Sequence, residues 1–213
     1  MRTLLAFGDS NTHGTPPMRT LEEDARYGPE TRWTGVCAAH LGGWRVVEDG
    51  LGGRTTVRDD PIFGTLLNGL AALPFALAAQ RPDAVALMLG TNDLKAAFGL
   101  TGRIVAESLG RMIHVARTSM AAPGRAAPEV LLIAPPLPRP AGCLAEIFEG
   151  CEARGAQLRQ IAPVIAERMG AGFLDAGEVC EVSPLDGVHL DEAAHAALGR
   201  AVAGAMERIA PRT

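Results

Sequence analysis

The sequence predicts a three-layer α/β fold around a five-stranded parallel sheet, and three observations carry that prediction. Five short apolar runs alternate with stretches long and periodic enough for helices. The stronger runs are apolar throughout rather than alternating, which suits strands covered on both faces. The first four end at glycine, acid or proline, residues that break a strand and open a loop.

The first run, Leu4-Leu5-Ala6-Phe7, stops at Gly8-Asp9-Ser10. Residues 13–32 are polar and rich in Gly, Pro and charge, and a loop this long inside a compact domain often lies over a site. A helix is predicted from Trp33 to Leu41, stopped by Gly42-Gly43. The second strand, residues 44–48, leads into Asp49-Gly50-Leu51-Gly52-Gly53. After a loop from Arg58 and a helix near 70–80, Arg81-Pro82 breaks the chain. The strongest strand follows over 83–89 and ends in Gly90-Thr91-Asn92-Asp93.

A helix over 102–120 and a Pro/Gly/Ala connector precede a strand at 130–134. Residues 135–140, with four prolines, can be neither helix nor interior strand because proline lacks the N–H. Residues 146–169 read as a long amphipathic helix and 172–175 as the last strand. Asp191 caps a final helix running to Ile209. No repeat or linker marks a second domain, so residues 1–213 are read as one.

Composition excludes several function classes. The net charge of −4 and 4% aromatic content argue against nucleic acid as a partner. No apolar stretch approaches the roughly 20 residues that cross a bilayer, so no membrane partner is expected. The apolar start is too short for a signal peptide and lacks a small-residue cleavage site, so a cytoplasmic location is expected. Cys37, Cys143, Cys151 and Cys180 show neither a CxxC pair nor ligand spacing with histidine, which points to reduced, structural thiols. The glycine loops match neither the dinucleotide-binding nor the P-loop pattern.

Ser10 lies just past the end of a buried strand, where open α/β sheets place their ligands. It suits a nucleophile, although Asp9 and Ser10 also fit plain turn and cap positions. A serine hydroxyl needs an adjacent base. His40, His114 and His195 fall in helical patterns with no visible partner, and His13 is placed at the mouth of the site. His189 differs, because Asp186 precedes it by three residues in a short loop. That step can bring a carboxylate to Nδ1–H and leave Nε2 free to take the serine proton. The alternative is an Asp-Gly turn beside an incidental histidine. Candidate oxyanion donors are the Ser10 N–H, the Gly53 N–H and the Asn92 side chain. Gly90 and Asn92 also fit ordinary turn positions. Arg54 is a candidate substrate contact or a structural ion pair, and Asp93 a pin for its own turn.

Together, Gly8-Asp9-Ser10, Gly53, Gly90-Thr91-Asn92-Asp93 and Asp186-Gly187-Val188-His189 resemble, in order, the four sequence blocks of the SGNH hydrolases, the GDSL-type esterases. The resemblance spans residues 5–190. It implies a flavodoxin-like fold, Ser10 as nucleophile, His189 as base, Asp186 as its orienter, and an oxyanion hole from Ser10 N, Gly53 N and Asn92. Residues 32–36, 48–51, 54–56, 67–69 and 147–150 look like the arylesterase and acyltransferase branch. Members of that branch hydrolyse small esters and can pass the acyl group to alcohols or peroxide. Some assemble into oligomers that bury the site mouths, so a homo-oligomer is expected, with residues 135–150 a contact, a lid or a packed loop.

Two departures stand out: the family's signature leucine is Asn11, and His13 and Thr15 replace tryptophans common in the branch. A more polar mouth is expected to favour hydrolysis over transfer. The expected function is a serine esterase for small acyl or aryl esters, using no metal or cofactor. The alternatives are a carbohydrate O-deacetylase, a thioesterase or, more distantly, an inactive binding or assembly module.

Overall fold

The computed structural model describes residues 1–119 and 126–210; position 120 and part of the connector expected after it lie outside the described residues. The five strands are β1 (Arg2–Gly8), β2 (Trp44–Gly50), β3 (Ala84–Met88), β4 (Glu129–Ala134) and β5 (Gly172–Asp175). They form a parallel sheet in the order β2-β1-β3-β4-β5. The helices are α1 (Ser10–His13), α2 (Trp33–His40), α3 (Gly69–Gln80), α4 (Gly102–Thr118), α5 (Cys151–Arg168) and α6 (Glu192–Ile209).

Side-chain alternation along β1 divides the core. Leu5 and Phe7 pack with Leu73, Leu109 and Leu158 of α3, α4 and α5. Leu4 and Ala6 point the other way, toward Trp33 of α2 and Leu198 and Met206 of α6. Both faces of the strand are therefore buried, the physical reason its sequence shows no polar alternation.

One expected element shortens. The helix read over 146–169 begins only at Cys151, because Gly150 takes the left-handed conformation at φ 65° and interrupts the turn before it. Leu144 and Phe148 of the preceding segment face the core, so residues 135–150 include a packed loop.

The register decides where function can sit. Gly8 pairs with Gly50 on one side and Met88 on the other, so the exits of β1, β2 and β3 share one rim. α1 lies tight against those exits. A Cβ at Gly8 would stand 2.1 Å from Thr12 Oγ1 and 2.7 Å from the Met88 carbonyl oxygen. A Cβ at Gly50 would stand 2.1 Å from the His13 nitrogen. Side-chain-free residues at both strand ends let the short helix settle onto the rim.

His195, read from sequence as an ordinary helix residue, is a buried link between α2 and α6. Its Nδ1 accepts the Trp33 N–H at 3.2 Å, and Tyr27 meets its ring edge-on at 5.4 Å. Burial pulls the imidazole down to about 4, so it stays neutral and keeps its acceptor nitrogen. Unfolded histidine binds a proton near its ordinary value of 6.5, whereas the folded one does so only near 4. Its contribution to stability is therefore full above pH 6.5 and lost as pH falls toward 4, a change on the order of 2–3 kcal/mol. Urea unfolding across that window should show a shallower acid loss for His195→Gln than for the unaltered chain; equal slopes would contradict this linkage.

Candidate active site

Asp9 caps α1 by accepting the Asn11 N–H on Oδ1 at 3.0 Å, which makes Ser10 the first helical residue. The helix lasts one turn, closed by Gly14 at φ 89°, whose N–H donates to the Ser10 carbonyl at 2.8 Å. This turn aims the Ser10 hydroxyl at the loop preceding α6. There His189 Nε2 lies 3.0 Å from Ser10 Oγ, and His189 Nδ1 lies 2.7 Å from Asp186 Oδ2. The structure thus brings Ser10, His189 and Asp186 into one hydrogen-bonded chain.

Asp186 is fully buried and its carboxylate is well supplied with donors. Oδ1 accepts the Val188 N–H at 3.0 Å and the His189 N–H at 2.9 Å; Oδ2 also accepts the Met18 N–H at 2.8 Å. Burial by itself pushes this carboxyl up. The bond to the His189 imidazole and the three backbone N–H groups outweigh burial and hold it at about 2. An ionised Asp186 fixes the Nδ1–H tautomer, leaving Nε2 to accept from Ser10.

The other expected donors gather at the same rim. Gly53 adopts φ 79°, a left-handed conformation that favours glycine, and a Cβ there would stand 3.0 Å from Leu67 Cδ1. Among the described residues, neither the Ser10 nor the Gly53 N–H donates to a protein acceptor. The Asn92 amide uses one hydrogen on the Arg54 carbonyl at 3.1 Å, which orients Nδ2 and leaves its second hydrogen available.

Arg54 is buried and its guanidinium is committed to scaffold. It donates to the carbonyls of Gly8 at 2.9 Å and Asp49 at 2.6 Å, pairs with the Asp49 carboxylate at 2.8 Å and lies over the Phe7 ring at 4.2 Å. Of the two sequence readings, the structural ion pair is the one seen. His13 likewise is not brought to the Ser10 hydroxyl. Its ring lines a separate cavity of ≈ 500 Å³ with Arg26, Glu48 and Phe75, beside the Gly50 carbonyl. Burial and the Arg26 charge lower its basicity there.

The long-range contacts of several supporting residues are not legible in the sequence. Asp93 does not merely close its own turn. Its carboxylate accepts the Thr56 N–H at 2.9 Å and the Thr56 hydroxyl at 2.5 Å, tying the Gly53 loop to the turn that carries Asn92. Burial lifts both Asp93 and Asp9 to about 6. Asn11 is buried beneath the site, with its amide on the main chain at Val188 and Leu190. It therefore does not make the mouth polar. Asn11 thus drops out of the grounds for preferring hydrolysis over acyl transfer, while His13 and Thr15 still stand where the branch commonly carries tryptophans. Among the described residues, no group of three or more His, Cys, Asp and Glu side chains could hold a metal ion.

The sequence profile of the GDSL-like lipase/acylhydrolase family matches residues 6–197. Three solved structures align over 98% of this chain. An aryl esterase from M. smegmatis is 38% identical, covered over 100% of its length, with a TM-score of 0.93. A carbohydrate acetylesterase from Sinorhizobium meliloti is 37% identical, covered over 99%, with a TM-score of 0.91. A carbohydrate acetylesterase family member from the same organism is 31% identical, covered over 99%, with a TM-score of 0.89. No curated protein sequence matches the chain. With its family profile spanning the sheet, the rim and the Ser10–His189–Asp186 chain alike, this protein belongs to the GDSL-like lipase/acylhydrolase family, the SGNH hydrolases.

Proposed function

We propose that the chain, acting as one domain, hydrolyses small carboxylic esters by a two-step acyl-enzyme route at Ser10. The observation that carries this reading is the uninterrupted relay Ser10 Oγ, His189 Nε2, His189 Nδ1, Asp186 Oδ2. As Ser10 Oγ bonds to the ester carbonyl carbon, its proton passes to Nε2, and the resulting imidazolium is stabilised by the ionised Asp186. The carbonyl oxygen gains charge facing the N–H groups of Ser10 and Gly53 and the free Asn92 hydrogen. Collapse breaks the bond to the alcohol, which leaves with the proton from Nε2. Water then repeats the sequence on the acyl-enzyme and releases the acid. His13 and Arg54 enter this reading as scaffold rather than substrate contacts.

Esters of aryl alcohols are the first substrate class, supported by the likeness to the M. smegmatis aryl esterase. Acetylated carbohydrates are a second reading, favoured by the likeness to the Sinorhizobium meliloti acetylesterase. Acyl transfer to an added alcohol is a side activity of the same intermediate.

A homo-oligomer is proposed on separate grounds. Residues 61–80 carry no charged side chain, yet expose Ile62 at 84% and Phe75 at 78%, with Phe63 and Leu66 between them. Large apolar side chains exposed to this degree are of the kind that mark an interface, and a second copy of the chain is the proposed occupant. The helices of the described residues include none long and apolar enough to cross a membrane. A cytoplasmic location is proposed on the four unbridged cysteines.

Three outcomes are expected. Ser10→Ala and His189→Ala should each lower turnover of p-nitrophenyl acetate on the order of 10⁴-fold or more, and Asn92→Ala about 10²–10³-fold. Activity surviving in Ser10→Ala would remove it as nucleophile. Phenyl acetate should be turned over faster than an acetylated xyloside; the reverse order would install the deacetylase reading. Light scattering should give a mass at a multiple of 22.2 kDa, and a monomer across concentrations would end the oligomer proposal.

A further inference from the structure

The residue after the nucleophile forms a clamp on the base. Asn11 Nδ2 donates to the Val188 carbonyl at 3.1 Å, and Asn11 Oδ1 accepts the Leu190 N–H at 3.1 Å. One amide thus grips the main chain on both sides of His189, across more than 170 residues of sequence. Asn11 is only 2% exposed, and Val188, His189 and Leu190 are buried with it.

One further anchor comes from the connector after β4, where the Arg139 N–H donates to the Gly187 carbonyl at 2.8 Å, and the rest are internal to the loop. The N–H groups of Val188 and His189 go to Asp186, and the His189 carbonyl accepts the Ser183 N–H at 2.8 Å. These bonds shape the loop but leave its distance to Ser10 free. Three bonds tie the loop to the chain that carries Ser10, two at the Asn11 amide and one at Asp186. The Met18 N–H on Asp186 acts from eight residues beyond Ser10, whereas Asn11 acts from the adjacent residue. The route from Ser10 Oγ through Asn11 to the His189 ring closes on the 3.0 Å nucleophile–base contact, leaving little slack.

An amide is required for this geometry. It offers a donor and an acceptor on one planar group, matching a carbonyl and an N–H two residues apart. The leucine of the family's signature offers neither. We infer that Asn11 is a positioning residue that sets the Ser10–His189 distance by clamping the main chain around the base. This inference rests on the triad reading above.

Its effect belongs on the chemical step rather than on substrate binding, because a misplacement near 1 Å between reacting groups costs about 10²-fold. The test compares Asn11→Leu and Asn11→Asp with the unaltered chain on p-nitrophenyl acetate, with circular dichroism and thermal unfolding run alongside. Asn11→Leu removes both bonds at similar size, and is expected to lower kcat about 10- to 100-fold while KM stays within about threefold. Asn11→Asp keeps the acceptor for Leu190 and loses the donor to Val188; it is expected to fold and also lower kcat at least about 10-fold. It decides the matter if the leucine variant does not fold. A folded variant whose kcat stays within twofold, or whose loss lies wholly in KM, overturns the positioning role. Failure of the unaltered chain to show Ser10-dependent turnover overturns the triad reading instead, an outcome separable from the other two.

Discussion

The Asp186 carboxylate accepts four hydrogen bonds: one from the His189 ring and three from backbone N–H groups, including that of Met18 in the long loop after α1. A carboxylate this deeply buried would cost several kcal/mol if left bare, and would protonate instead. The donors reverse that balance and hold it ionised at about 2. Everything in the proposed chemistry follows from the charge. It selects the histidine tautomer, leaves Nε2 as an acceptor, and stabilises the imidazolium that forms when Ser10 gives up its proton. The same four bonds fold the 186–189 turn and draw the loop at Met18 against the site.

Asp9 and Asp93 occupy the same rim and meet the opposite fate. With fewer donors to set against burial, both are raised to about 6. Groups raised on folding contribute stability that is full below their ordinary 3.8 and is lost as pH rises through 6. His195 runs the other way, because it is held neutral and loses its contribution as pH falls. These buried groups therefore contribute opposite slopes to the stability–pH curve. The register of the sheet gathers most of these groups in one place. With Gly8 beside Gly50 and Met88, three loops distant in sequence leave at one level. Asp93 on Thr56 and Asn92 on the Arg54 carbonyl then tie two of them together.

Much of this was legible in the sequence, because apolar runs and their terminators report burial directly. β1, β3 and β4 are buried on both faces and lack polar alternation, so the parallel sheet could be read from them. Ser10, Asp186 and His189 are legible as candidates because a serine just past a buried strand and an Asp–His pair three residues apart ahead of a helix are the residue types the proposed chemistry needs. Other features depend on side-chain direction, which periodicity does not carry. His13 and Arg54 sit beside the right landmarks, but their side chains turn toward the Gly50 and Gly8 carbonyls. Asn11 stands out in the sequence as a polar departure from the family's leucine, but its side chain points inward. The bonds from Asp93 to Thr56 and from His195 to Trp33 link distant stretches, and nothing local in either stretch announces them. The late start of α5 turns on one glycine adopting positive φ, which a helical pattern reads through.

The most direct measurement of the central claim, that Ser10 is the nucleophile His189 activates, is covalent trapping. The chain is incubated with a p-nitrophenyl phosphonate and its intact mass and peptides are determined by mass spectrometry. The account predicts one adduct per chain, located on Ser10, formed slowly or not at all in His189→Ala. An adduct on another residue, or none in a chain that folds, would contradict it.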